Sequence, residues 1–211
     1  MLTSDSTLSG TLFIYEGQEL GMVNVPKEWP MDEYKDVEAL NYYRMVEERS
    51  QGDPKALEKA KAAIQNLGRD NARTPMQWNS QVNAGFTEEG VTPWMRANSS
   101  AKVINVADQM ARKDSCLAFW RQVLRLRQEH PKLFVFGDFE LVDDANEQVF
   151  SFVKRSRNAT ALVTCNFSGE AAPSPVSGLT ATGKLLLSNV SNPSHDVLQP
   201  WEGQAYVLQD F

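Results

Sequence analysis

Two arginines four residues apart, Arg69 and Arg73, stand in the run Arg69-Asp70-Asn71-Ala72-Arg73-Thr74-Pro75-Met76-Gln77-Trp78. Arginine carries a planar, permanently charged fork of donors that suits fixed hydrogen bonding to hydroxyls or carboxylates. Trp78 adds an apolar ring face of the kind on which sugars and cations rest. The chemistry on offer is recognition of a hydroxyl-rich or anionic ligand. The competing reading is a loop locked by a structural Arg–Asp pair, and such pairs are common. Glu16 and Glu19 flank Gly17 after a short apolar run, but nothing nearby gives either the raised pKa of a general acid. Capping or loop pairing accounts for both.

The totals narrow the field. A chain of 211 residues suffices for one domain or two small ones, and 42% hydrophobic with 23% charged residues is ordinary for a folded protein. A net charge of −6 argues against a nucleic-acid partner, which needs a basic face. No apolar run reaches the roughly 20 residues of a membrane-spanning helix, and the first residues lack the basic and apolar regions of a signal peptide. Cys116 and Cys165 have no CxxC spacing, so no zinc site is expected, and no cofactor is expected either. Two buried thiols in a cytoplasmic protein are expected over a disulfide. Asn98, Asn158, Asn166 and Asn189 head glycosylation sequons, short motifs that arise often by chance.

Elements must position the decamer. Thr11–Tyr15 is β-prone and bounded by glycines, which suits a buried parallel strand. Asp36–Ser50 places Val37, Leu40, Tyr43 and Val46 at helical spacing. Asp53-Pro54 opens a second helix, with Leu57, Ala60, Ile64 and Leu67 on one face and Gly68 where a C′ glycine belongs. That helix leads directly into Arg69. Residues 78–100 read as a long ordered loop, in which Trp78, Phe86 and Trp94 either wall a pocket or anchor the loop. Asp114–Glu129 is amphipathic through Leu117, Trp120, Val123 and Leu124, with Arg121, Arg125 and Arg127 expected in solvent. His130 and His195 are expected to be structural. From Phe134 short β-prone runs follow, at 136–141, 148–154, 159–166, 183–187 and 203–208, separated by Gly, Pro, Asn and Ser. Such spacing suggests an antiparallel sandwich.

The decamer resembles the RDxxRTPMxW signature of α-glucosidases in the α-amylase superfamily, glycoside hydrolase family 13, the maltase and oligo-1,6-glucosidase group. The stretch Gly10–Gly21 looks like that family's segment at the eighth barrel strand. Asn83-Ala84-Gly85-Phe86-Thr87, Pro93-Trp94, Ile104-Asn105-Val106, Phe119-Trp120 and Pro200-Trp201-Glu202-Gly203 fall in the family's order. The resemblance implies an α/β plus β fold: at 1–132 the C-terminal part of a (β/α)8 barrel, meaning its last strand, a long loop with helices and its last helix. An antiparallel β-sandwich follows at 133–211.

The resemblance also implies hydrolysis of terminal α-linked glucose from maltose- or isomaltose-type oligosaccharides. Retaining enzymes of this kind use two carboxyl groups about 5–5.5 Å apart. None of the motifs that carry the family's catalytic carboxylates is present, so no catalytic residue is named, and the chain alone is expected to be inactive. What carries over is substrate binding: Arg69 at the floor of the glucose pocket, Arg73 shaping the loop, and Glu38 near the rim on a weaker match. The implied partners are an α-glucoside and the complementary N-terminal barrel portion. An open barrel exposes its edges, so 1–132 is expected to need that portion while about 134–211 folds independently. The alternative is a non-catalytic carbohydrate-binding or structural module.

Overall fold

A computed structural model describes residues 2–208. By packing they form two compact units, one of residues 14–118 and one that joins residues 2–13 to 119–208. Packing and ancestry need not divide a chain at the same residue.

In the first unit, α2 (Val37–Ser50) and α3 (Pro54–Leu67) lie side by side, following α1 (Leu2–Thr7) in the chain. Both start as their sequences dictate. Asp36 and Asp53 cap them, each accepting the N–H three residues on, and Pro54 sits in the first turn of α3. The core beneath α2 and α3 gathers Val25, Trp29, Tyr34, Ala39, Ile64 and Met95. Leu40 and Tyr43 pack against it as expected, whereas Val37 is exposed. Leu67, expected on the inner face of α3, is 87% exposed. Gly68 does not close α3 in the left-handed conformation; its φ is −66°. It is glycine because a Cβ there would lie 2.5 Å from the carbonyl oxygen of Ile64. A short helix, α4 (Val106–Ala111), follows the long loop and is capped by Asn105.

The second unit is built on a five-stranded antiparallel sheet. Its strands are β1 (Asp138–Leu141), β2 (Val149–Arg155), β3 (Thr160–Asn166), β5 (Lys184–Ser188) and β7 (Gly203–Leu208), in the order β1-β2-β3-β7-β5. The short strands β4 (Ala172–Pro173) and β6 (Val197–Leu198) pair as a separate ribbon. All five long runs expected from sequence are strands, giving the expected antiparallel β domain. One face of the sheet packs on α5 (Cys116–Glu129) and α6 (Pro131–Phe134) through Phe119, Val123, Leu126, Leu133 and Phe134. A last short helix, α7 (Ser177–Thr180), precedes β5.

Two further expectations give way here. Thr11–Tyr15 is not a strand: it has no ladder partner among the described residues, and Phe13 and Tyr15 are exposed. A parallel strand holds its shape through neighbours on both sides, and this stretch has neither. Arg127 is not solvated; its guanidinium donates to the carbonyls of Ser6 (2.9 Å), Leu8 (2.8 Å), Phe134 (3.3 Å) and Gly10, so it clamps the N-terminal segment. Asn98 and Asn166 are buried and hydrogen-bonded, which closes two of the four sequons. Cys116 and Cys165 are both free thiols.

Candidate functional site

The decamer folds as a 3-10 turn, Arg69–Ala72, leading into an irregular stretch. Its centre is Asp70, fully buried. One carboxylate oxygen accepts the backbone N–H of Lys35 at 2.8 Å and that of Asp36 at 2.9 Å. Its other oxygen lies 3.8 Å from Arg73, whose guanidinium also stands 3.6 Å from Asp36. Asn71 adds two ties, accepting the N–H of Val25 and donating to the carbonyl of Gln65. The turn is thus bolted to the residues that begin α2 and end α3.

This bolt places two of the three expected binding residues together. Arg69 on the turn and Glu38 in the first turn of α2 line one groove of about 330 Å3, with Asp36, Tyr42, Ile64 and Leu67. Arg69 is exposed and makes no hydrogen bond or ion pair among the described residues. Arg73 is not in the groove; it is occupied by the two aspartates, of which Asp36 reaches the groove wall. Arg73 therefore takes the structural reading, while the Arg69 guanidinium is left unspent beside Glu38.

The loop beyond the decamer answers the question about its aromatics. Trp78, Phe86 and Trp94 are 49%, 49% and 63% exposed, so none of them anchors the loop. The anchors are residues to which the sequence assigned no such role: Met95, Gln77 and Asn98, all buried. Gln77 donates to Ser100, and Asn98 donates to the carbonyls of Val23 and Asn24. Only the local turn was signalled, by Asn98 ahead of Ser99-Ser100, where its oxygen accepts the N–H of Ser100; the distant partners were not.

The carboxylates left unassigned stay structural or unpartnered. Glu19 accepts the N–H of Gly17 at 2.8 Å, the loop pairing expected of it. Glu16 borders a separate groove with Tyr15, whose hydroxyl donates to the carbonyl of Ala72 at 2.6 Å. His195 lies tilted against the Tyr206 ring, with centroids 5.6 Å apart, and His130 meets Phe134 edge-on. No group of three or more metal-ligating side chains occurs among the described residues. No described helix is long and apolar enough to cross a membrane.

Comparison with known proteins gives this geometry a lineage. The chain is 45% identical over 206 residues to an α-glucosidase of Candida albicans, an alignment covering 95% of this chain and 35% of that protein. It is 38% identical over 210 residues to an oligo-1,6-glucosidase of Saccharomyces cerevisiae, covering 96% of this chain and 36% of that one. Among solved structures, the trehalose-6-phosphate hydrolase of Bacillus licheniformis superposes with a TM-score of 0.87 at 30% identity, over 99% of this chain and 38% of its own. The chain thus spans little more than a third of the length of these relatives. Residues 1–136 match the family described as "Alpha amylase, catalytic domain", and the chain belongs to that family.

Proposed function

We propose that this chain is the C-terminal part of an α-glucosidase that removes terminal non-reducing α-linked glucose from maltose- or isomaltose-type oligosaccharides. One observation carries the reading: Asp70 and Arg73 fasten the decamer to the head of α2, leaving Arg69 and Glu38 on one groove. In this reading Arg73 shapes the loop and Arg69 grips the sugar. A guanidinium with unspent donors suits the hydroxyls of a glucose, and Glu38 supplies an acceptor beside it. Donors left unpaired by the wrong sugar give such a pocket its selectivity. The carboxylates that cut the bond belong to the preceding barrel portion, so residues 1–132 contribute a wall of the barrel and residues 133–211 its sandwich. The exposed Phe13, Tyr15 and Leu67 suit a surface that the rest of the barrel covers. We take the compartment to be the cytoplasm, which two free thiols support.

The test is a chimera in which the preceding two thirds of the Candida albicans α-glucosidase lead into this chain. It should hydrolyse a chromogenic α-glucoside, and Arg69→Gln should lower kcat/KM roughly 10- to 150-fold, the worth of one hydrogen bond to a charged group. The 211-residue chain alone should not turn the substrate over. A folded chimera in which Arg69→Gln changes nothing would defeat the reading and leave a structural module.

A further inference from the structure

A second groove, of about 470 Å3, lies in the unit of residues 14–118 and shares no residue with the groove of Arg69 and Glu38. Its size falls within the range of small-ligand sites, about 300–1,000 Å3. Trp94 and Arg96 line it, with Glu33, Lys35 and Asn83.

Two of the lining residues, Arg96 and Asn83, have partners of their own. Arg96 donates to the Glu33 carboxylate at 3.3 Å, and its guanidinium lies 5.8 Å from the ring centre of the buried Trp29. That is one of five donors spent among the described residues, on a fork fixed by a ring and a carboxylate. At Asn83, another lining residue, the backbone turns through the left-handed region for three consecutive residues, Asn83, Ala84 and Gly85, with φ of 52°, 57° and 67°. For Asn83 and Ala84 such a conformation is unfavourable and persists only where the surroundings impose it. They do: the Ala84 carbonyl accepts the N–H groups of both Trp78 and Asn79, and the Asn83 amide donates to Thr87 and to the carbonyl of Val91 at 2.8 Å each. A turn tied by its own hydrogen bonds, the Arg96–Glu33 pair and an indole left 63% exposed thus line one cleft.

The lining also states what fits. The indole asks for a flat apolar face, Arg96 and Lys35 for acceptors, and Glu33 for a donor. A simple cation would meet Arg96 and Lys35, and a simple anion would meet Glu33. A pyranose satisfies all of them, because its C–H face is apolar and each hydroxyl both donates and accepts. We propose that this groove holds a glucosyl unit of an α-linked oligosaccharide, stacked on Trp94 and hydrogen-bonded to Arg96 and Glu33. Only the identity of the sugar rests on the α-glucosidase reading.

The experiment is calorimetric titration and saturation-transfer NMR of maltotriose with the 211-residue chain, as wild type and as Trp94→Ala, Trp94→Phe and Arg69→Gln. The expected result is binding by wild type that Trp94→Ala weakens about tenfold and that Trp94→Phe largely restores. Absence of binding by wild type, or equal binding by Trp94→Ala, overturns the proposal. Loss of binding in Arg69→Gln alone also overturns it while supporting the other groove. Shielding of Trp94 from acrylamide quenching in the sugar-free chimera would make this groove a barrel interface and overturn it as well.

Discussion

Asp70, a carboxylate closed off from water, accepts the backbone N–H of Asp36 at 2.9 Å. The two are separated by the whole of α2 and α3, so one short side chain fixes how that helical pair presents its ends. Through Asp36, which caps α2 and pairs with Arg73, the decamer and the first turn of α2 become one rigid piece. Geometry at the Arg69 and Glu38 groove is therefore set in part by Asp70 and Arg73, which do not line it.

Replacing Asp70 should show this directly. Asp70→Ala strands the N–H groups of Lys35 and Asp36 and leaves Arg73 with a single carboxylate. Removing one side of a buried, charged hydrogen-bonded set should cost about 3 kcal/mol. Asp70→Asn keeps an acceptor for both N–H groups and loses only the charge facing Arg73, so it should cost about 1 kcal/mol. Urea unfolding of the chain gives both values. Equal midpoints for wild type and Asp70→Ala would show that the bolt carries nothing.

Legibility in the sequence followed the range of the interactions. Local chemistry was readable: Asp53-Pro54 announces α3, and the β-prone runs from residue 136 became the five long strands. The partners of Arg127 were not, because the carbonyls of Ser6, Leu8 and Gly10 lie more than a hundred residues away and no periodicity names them. Leu67 and Thr11–Tyr15 misled for another reason. Their patterns call for burial, and the described residues hold nothing that buries them. At the candidate site the residue types were legible as a motif. That Arg73 is spent on structure while Arg69 is free required the positions of Asp36 and Asp70.

The two thiols should behave unlike each other. Burial pushes the Cys165 thiol up to about 12, and burial with help from Glu19 also raises Cys116, which is only half-buried. A thiol-reactive disulfide reagent at pH 8 should titrate Cys116 slowly and leave Cys165 untouched until denaturant is added. Cys165 also sets a sign. Its folded pKa lies above its ordinary 9.0, so its contribution to stability is complete below pH 9 and is lost as pH rises toward 12. Cys165→Ala should flatten the stability curve in that window, and two equally fast thiols in the native chain would refute the burial.

Glycines separate tolerance from constraint within the second unit. A Cβ on Gly137 would lie 2.3 Å from the carbonyl oxygen of Leu133 and 2.8 Å from that of Arg155, both backbone atoms that cannot swing away. Gly137→Ala should cost about 3 kcal/mol. Gly178, in α7, has nothing within 4 Å of the added carbon. Gly178→Ala should instead stabilise by about 0.5 kcal/mol, since alanine loses less backbone entropy in a helix. Thermal unfolding of the pair should give shifts of opposite sign; shifts of the same sign would contradict the packing around Gly137.

Lys154 should make its neighbourhood most comfortable in alkali. It lies on β2 with no exposed surface, its ammonium donating to the Ser9 hydroxyl and to the Gly137 carbonyl. Burial, and then the nearby Arg127 charge, lower its pKa, while Asp138 opposes them. A lysine whose folded pKa lies below its unfolded value binds fewer protons folded than unfolded in the window between the two. Stability from this group therefore rises with pH through that window, toward the ordinary 10.5, and its cost is fully present below it. Cys165, Tyr34 and Tyr206 have raised pKa values and act in the other direction at alkaline pH, so the wild-type curve alone mixes the signs. The difference from Lys154→Met isolates the lysine. Methionine fills the same space without charge, and the variant should lie within about 1 kcal/mol of wild type at pH 7. Wild type should gain on it steadily as pH rises to 10.5, in urea midpoints measured at fixed ionic strength. A difference that stays constant across that range would mean that Lys154 keeps an ordinary pKa and that its burial is not felt as a charge at all.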